Sequence, residues 1–256
     1  MSSILFADPA GNLTAIVRHA ALEERLALAK SVLEAGKAEQ VGFEVPSVCG
    51  GCGRLEMMGG EFCGNAVRSF GFLKAAERWT GGRHTMEVEI SGAAQPVSVT
   101  VDLGSGTAFA RMPLPLGLEE CEVAGAAYPL VRMEGIIHLI AEDTAPSEAF
   151  VEQALAAVAR LSPEAFGVMF LQEDSLTPAV WVRETQSLVW EGSCGSGSLA
   201  CGWYRTQKRL PMPDGEVRCA FLQRGGVIET AFCVENGKIA VCCMGGPVSI
   251  SGWETI

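Results

Sequence analysis

Tyrosine occurs twice, histidine three times and lysine five times in 256 residues, and these scarcities narrow the chemistry. Few lysines leave few candidates for a Schiff base, and no feature singles one out. Few histidines leave His19, His84 and His138 as the only imidazoles. His19 reads as helix surface, His84 as loop, and His138, within the apolar stretch Gly135–Ile140, as a core histidine with a satisfied hydrogen bond. No apolar run approaches the ~18 residues of a membrane-spanning helix. The first residues, Met-Ser-Ser-Ile-Leu-Phe-Ala-Asp-Pro, show neither the basic start nor the apolar core of a secretion signal.

Cofactor motifs are also missing. There is no GxxxxGK[ST] and no GxGxxG after a strand, and Gly104-Ser-Gly106 reads as a turn between strands. A cofactor-free reaction is therefore the economical reading. Cys49-Gly-Gly-Cys52 has CxxC spacing, but a zinc ribbon needs a second pair about 15–20 residues on. None follows, so no metal is expected and the two thiols read as part of a mobile loop.

The net charge of −11 argues against nucleic acid and anionic membranes as partners. With 48% hydrophobic and 19% charged residues the chain should form an ordinary core. Ten cysteines without a secretion signal point to free thiols in a reducing cytoplasm. Cys121, Cys219, Cys233, Cys242 and Cys243 read as small buried hydrophobes.

Two of the cysteines stand apart. Glu61-Phe-Cys-Gly-Asn-Ala66 and Gly192-Ser-Cys-Gly-Ser-Gly197 lie half a chain from each other, and each puts Cys-Gly and a small polar residue ahead of a helical run. A thiol there sits beside unpaired backbone N–H groups and the positive end of the helix dipole. That setting lowers a cysteine's pKa and also suits a carboxylate. The recurrence suggests an internal repeat that brings Cys63 and Cys194 to one substrate. A Cys–His hydrolase using His138 stays open on residue types alone, though nothing else supports it.

Element patterning agrees with a repeat. Ile4–Phe6 and Leu13–Val17 read as strands around a turn at Asp8–Asn12. His19–Ala35 reads as an amphipathic helix with Leu22, Leu26, Ala29 and Leu33 on one face. Strands at 39–45 and 54–58, a helix at 63–79, and strands at 86–90, 97–103 and 107–112 complete a first half. Pro113, Pro115 and Gly117 mark the boundary. Strands at 128–133 and 136–141, a helix at 147–161, strands at 166–171 and 179–183, a helix at 194–209 stopping before Pro211, and closing strands repeat the plan. The expected fold is α+β: two pseudo-symmetric lobes, each a mostly antiparallel curled sheet around a central helix, with a cleft between them. Residues 1–112 form the first lobe and 113–246 the second.

Acidic and amide side chains near the motifs come next. Glu39 opens the strand ahead of the first motif, and Glu184 and Glu191 lead into the second. Each is either a solvated loop carboxylate or a substrate ligand. Asn12 is either a turn residue or an amide aimed into the cleft.

These motifs resemble the diaminopimelate-epimerase superfamily of pyridoxal-independent amino-acid racemases and epimerases, most of all the histidine racemases of staphylopine-type opine metallophore biosynthesis. The matching stretches are Asp8–Val17, Glu39–Phe43, Gly60–Ala66, Gln186–Gly197 and Gln223–Gly226. The resemblance implies Cys63 and Cys194 as a catalytic acid/base pair, with Asn12, Asn65 and the backbone amides of Gly64, Gly195 and Ser196 binding an amino-acid substrate. It also implies that the tail 247–256 returns to the first lobe. Glu184 joins the candidate substrate ligands on its place ahead of the second motif. The resemblance places Glu39 where these racemases meet the substrate side chain. A carboxylate there suits an imidazole and repels an acidic group, which favours histidine. Diaminopimelate epimerisation, the same chemistry on another substrate, is the first alternative, although the segments Met57–Gly60, Arg183–Thr185 and Trp190–Ser193 depart from the usual epimerase motifs. A related isomerisation, as in phenazine biosynthesis, and a thiol-rich metal or redox protein are the others. A homodimer is left open.

Overall fold

The structure, a computed structural model, describes residues 1–209 and 212–256. It divides into two compact units, one of Met1–Met112 with Met244–Ile256 and one of Pro113–Cys243.

In the first unit, β1 (Ser3–Asp8) and β2 (Thr14–Arg18) form a hairpin whose turn passes through Ala10 (φ 63°) and Gly11 (φ 87°). Helix α1 (Arg25–Glu34) crosses over to β3 (Gln40–Val45), which lies parallel to β2. The hairpin partner of β3 is β4 (Arg54–Met57). Helix α2 (Gly64–Arg78) then leads to β5 (Arg83–Ile90), parallel to β4, and the antiparallel meander β6 (Val97–Asp102) and β7 (Thr107–Met112). Val67, Phe70, Leu73 and Ala75 of α2 are almost inaccessible, and the helix packs on β2, β5, β6 and β7. Its apolar residues surround most of its circumference because the sheet does too.

In the second unit, β8 (Gly117–Val123), β9 (Ala126–Arg132) and β10 (Ile136–Glu142) form an antiparallel meander. Helix α3 (Glu148–Val158) crosses over to the parallel strand β11 (Ala165–Gln172). Antiparallel strands β12 (Ser175–Val182) and β13 (Ser187–Trp190) follow. Helix α4 (Gly195–Gln207) leads to the hairpin β14 (Gly215–Gln223) and β15 (Gly226–Glu235), with β14 beside β12 in parallel. α4 packs on β9, β10, β11, β14 and β15. Strand β16 (Lys238–Pro247) carries the chain past the unit boundary, and β17 (Ser249–Ile250) and β18 (Glu254–Thr255) pair with β1. Both units share an order of elements: antiparallel strands, a helical crossover to a parallel strand, an antiparallel hairpin, a Cys-led helix and further antiparallel strands. The pattern is mostly antiparallel, and its parallel pairs arise at the helical crossovers, the one connection that permits them.

Several expectations need correction. α1 begins at Arg25 after a 3-10 turn at Leu22–Glu24, because His19 takes a left-handed φ of 58° that ends β2 in a turn. Its buried face is Ala29 and Val32, with Leu28 beside them, while Leu22, Leu26 and Leu33 face outward. Two sets of positions on this helix fit a 3.6-residue period, and the docking surface of β2 and β3 selects the one with smaller side chains. His84 lies on β5, stacked on Trp79 with ring centroids 4.0 Å apart. Of the five cysteines expected in the core only Cys242 is buried; Cys121, Cys219 and Cys233 lie at half-buried positions of β8, β14 and β15, whose alternation gives the core face to other residues. The Cys49–Cys52 loop is tied down rather than loose. Ser47 Oγ and the N–H groups of Val48, Cys49 and Gly51 all donate to the Glu89 carboxylate at 2.5–3.0 Å. Pro211, expected to stop α4, lies outside the described residues.

Candidate active site

Cys63 is the N-cap residue of α2, with extended backbone (φ −132°, ψ 114°), so its carbonyl accepts the first helical hydrogen bond from Val67. No side chain caps this end, so the first-turn N–H groups of α2 stay available around the thiol. Burial pushes the Cys63 thiol up. Donors from the Ala66 and Asn65 backbone and from the Gln40 side chain pull it down, while the Glu61 charge adds to the rise.

An amide network surrounds it. Gln40 Nε2 donates to Asn12 Oδ1 (2.8 Å) and Thr14 Oγ1 (2.7 Å). Asn65 Nδ2 donates to Asn12 Oδ1 (3.2 Å), and Asn12 Nδ2 donates to Glu39 Oε2 (3.0 Å). The parallel register of β2 and β3 sets Thr14 opposite Gln40 and thereby delivers this cluster to the start of α2. Asn12, Glu39, Gly64 and Asn65 are thus gathered around Cys63. Gln40 and Arg68, which belong to the same network, were not singled out in the sequence. A glutamine next to a candidate glutamate at a strand start was the available signal.

Cys194 is the N-cap residue of α4 with nearly the same backbone (φ −121°, ψ 110°), and is 6% exposed. Its N–H donates to Gln223 Oε1 (2.8 Å), Gln223 Nε2 donates to Ser198 Oγ (2.9 Å), and Ser198 Oγ donates to the Cys194 carbonyl (2.7 Å). This closed ring fixes the backbone of the thiol. Gly197 lets Met169 approach, since a Cβ there would fall 2.1 Å from the Met169 sulfur. Burial pushes the Cys194 thiol well up, and the Glu191 carboxylate pushes it further by charge and by accepting a hydrogen bond; Ser196 and the Gly197 amide oppose the rise.

Ser196 Oγ lies 3.6 Å from Cys194 Sγ and 3.0 Å from His138 Nε2. His138 is fully buried on β10, with no partner at Nδ1, and burial pulls its imidazole down to about 3. It is therefore neutral at physiological pH. Gly195 and Ser196 open α4 beside the thiol. Glu184, by contrast, sits on the exposed turn joining β12 to β13, while the other end of that hairpin leads through Glu191 to Cys194. The structure does not bring Glu184 to the Cys194 cluster; Glu191 takes the carboxylate's place there.

Among the described residues no three His, Cys, Asp or Glu side chains are placed to share a metal ion. No helix in them is long and apolar enough to cross a membrane. Each unit thus presents a thiol at an open helix N-terminus, half-buried at Cys63 and buried at Cys194, with neutral amides and a carboxylate nearby. That arrangement can exchange a proton and hold a carboxylate.

Known proteins share both the fold and the sequence. The phenazine biosynthesis protein of the PhzF family from Bacillus anthracis superposes with a TM-score of 0.72 at 12% identity, covering 99% of this chain and 98% of its own. A hydroxyproline epimerase from Agrobacterium vitis, solved with trans-4-hydroxy-L-proline, gives 0.67 at 11% identity over 99% and 91%. At these identities the likeness concerns the fold. In sequence, the histidine racemase of Fusobacterium nucleatum subsp. nucleatum (strain ATCC 23726) is 32% identical over 95% of this chain and 92% of its own. That of Staphylococcus aureus is 26% identical over 79% of each. The sequence model of the family described as "Histidine racemase CntK N-terminal domain" matches residues 4–255. With nearly its whole length matched, the chain belongs to the histidine racemase family.

Proposed function

We propose that the chain interconverts L- and D-histidine by a two-base mechanism, with one thiol from each unit serving opposite faces of the α-carbon. The observation that carries this reading is the pair of cysteines at matching N-cap positions of α2 and α4. One sulfur, as thiolate, removes the α-proton, and the other, as thiol, delivers a proton to the opposite face; the reverse reaction exchanges the roles.

The two environments set the resting state. Cys63 is met by the donors of Gln40, Asn65 and Ala66, and Cys194 faces the acceptor Glu191. Cys63 is thus the readier base, and Cys194 holds its proton. As the α-proton leaves, negative charge spreads onto the substrate carboxylate. N–H groups at the starts of α2 and α4, from Gly64, Asn65, Gly195 and Ser196, stabilise that charge without reorganising. Glu39, held by Asn12, accepts a hydrogen bond from the substrate imidazole.

Proton NMR of histidine incubated in D2O with enzyme and a thiol reductant tests the reading. Loss of the α-proton signal, with D-histidine appearing on chiral chromatography, is the expected result. Exchange with diaminopimelate and none with histidine would overturn the substrate assignment.

A further inference from the structure

The largest fully buried side chain of the first unit is a cation. Arg68 is 0% exposed and lies in the second turn of α2. Helical side chains lean toward the N-terminus, so its guanidinium reaches back over the first turn that Cys63 caps. Nε donates to Asn65 Oδ1 (3.1 Å), Nη1 to the Pro247 carbonyl (2.9 Å) and Nη2 to the Pro9 carbonyl (2.6 Å).

Three neutral acceptors satisfy the geometry of the fork but leave its charge uncompensated, which is costly in a buried site. Among the described residues Arg68 makes no ion pair with a carboxylate. The ionisable groups that favour its charge are Cys63 first and Asp8 second. Asp8 is engaged locally, accepting from the Gly11 N–H at 2.6 Å. Burial pulls the guanidinium down to about 10, so it stays cationic at neutral pH. The other groups at this end are Glu61, whose charge bears on Cys63, the neutral Gln40 and Thr14 from β3 and β2, and Met112 and Met244 against Gly64. The one buried cation of this cluster therefore lacks a fixed anion. Its hydrogen bond to Asn65 sets it at the end of α2 that Cys63 caps. Among ionisable groups Cys63 bears most on its charge, whereas the thiol itself is set first by burial and by the Ala66, Gln40 and Asn65 donors.

We infer that Arg68 is a positioning residue of the Cys63 half of the site: its charge is the buried counter-ion of the Cys63 thiolate, and its Nε fixes the Asn65 amide that holds Asn12 and, through it, Glu39. The inference deepens the proposed racemisation and rests on it for the roles of Asn12 and Glu39. The Pro9 and Pro247 contacts have a further consequence. The same guanidinium ties the β1–β2 turn and the returning C-terminal segment to the helix that carries the thiol.

The test compares Arg68→Met and Arg68→Lys with the parent enzyme, reading Cys63 alkylation by iodoacetamide against pH with peptide-resolved mass spectrometry. Removing the charge should raise the apparent pKa of Cys63 by about one unit, a roughly tenfold slower alkylation at neutral pH. Lysine keeps the charge but not the fork. Its Cys63 titration should stay near that of the parent, while KM for histidine rises and kcat changes less. An unchanged titration in Arg68→Met, or a loss in Arg68→Lys as large as in Arg68→Met, would overturn the inference. If circular dichroism shows that Arg68→Met does not fold, the lysine variant decides: parent-like titration supports the counter-ion role and a tenfold loss refutes it. A parent enzyme that exchanges no amino-acid α-proton would remove the racemase reading, yet the alkylation comparison would still judge Arg68.

Discussion

Asn12 Nδ2 donates to Glu39 Oε2 across 3.0 Å, one of several bonds that join the turn after β1 to the residues leading into β3. Asn12 also accepts from Gln40 and Asn65, so the carboxylate is aimed by a network that ends at the Cys63 helix. Glu39 itself is exposed, free to meet a ligand with its other lone pairs.

Replacing that carboxylate tests the substrate assignment. Glu39→Gln keeps the size and loses the charge, removing a charge-assisted hydrogen bond of about 1.5–3 kcal/mol. Solvent screening trims this at an exposed position, so kcat/KM for histidine should fall by about tenfold, mostly through KM. Steady-state racemisation followed by chiral chromatography measures it. Unaltered kinetics would remove Glu39 from the site.

The two thiols should behave differently before substrate binds. Cys63 is half-buried among donors, whereas Cys194 is buried and faces Glu191. Limiting iodoacetamide at neutral pH should modify Cys63 at least about tenfold faster than Cys194. Equal rates would contradict the assignment of Cys63 as the resting base.

Either thiol replaced by alanine should cost racemisation on the order of a thousandfold or more, the usual weight of a positioned acid or base. Deuterium exchange from each enantiomer resolves which face each sulfur serves. Turnover near the parent's in either variant would end the two-base mechanism.

Burial raises Cys63, Cys194 and Cys201 above the ordinary thiol value of 9.0, so the folded chain holds these protons more tightly than the unfolded chain. The folded state is undisturbed below pH 9.0 and loses stability as pH rises toward the folded values. The thermal midpoint should therefore fall with pH on the alkaline side of 9.0. Cys201→Ala, which touches neither proposed catalytic thiol, should flatten that decline. A midpoint independent of pH in that range would show that burial does not control these thiols.

Gly92 has φ 74°, and a Cβ there would meet the Phe62 nitrogen at 2.3 Å and the Glu61 carbonyl carbon at 2.8 Å. Gly92→Ala must displace the backbone that delivers Cys63, at a cost of about 1–3 kcal/mol for overpacking and strain. Chemical denaturation should show that loss together with reduced racemisation. Full stability and activity would mean that this approach is not needed.

Some of these features were legible in the sequence because they are local. A cysteine followed by glycine and a helical run reads as an N-cap wherever it stands, and Cys63 and Cys194 both occupy that position. The crossover helices and hairpins followed from periodicity and turn residues. The buried face of α1 did not, because Leu22, Leu26 and Leu33 satisfy the same period as the buried Ala29 and Val32. A helix presenting two candidate faces is oriented by what it docks against.

The long-range partners had no local signal. Gln40 reaches Cys63 because β2 and β3 lie parallel in one register, with Thr14 opposite Gln40; a slip of one residue would turn its side chain to the other face. Glu191 faces Cys194 and Glu184 does not, because the hairpin of β12 and β13 puts Glu184 at its tip. His138 was legible as a core residue, but its Ser196 contact depends on how α4 packs on β10.

The sequence by itself determined the thiols, the repeat of elements and the family, since these depend on near-neighbour residues and on their order. Tertiary structure alone decided what surrounds each sulfur: the buried Arg68, Gln40 and the Asn12–Glu39 bond at one, and Gln223, Glu191 and the Ser196–His138 pair at the other. Those groups lie far apart along the chain. Strand register and helix docking set their distances, and burial then sets the strength of their electrostatics.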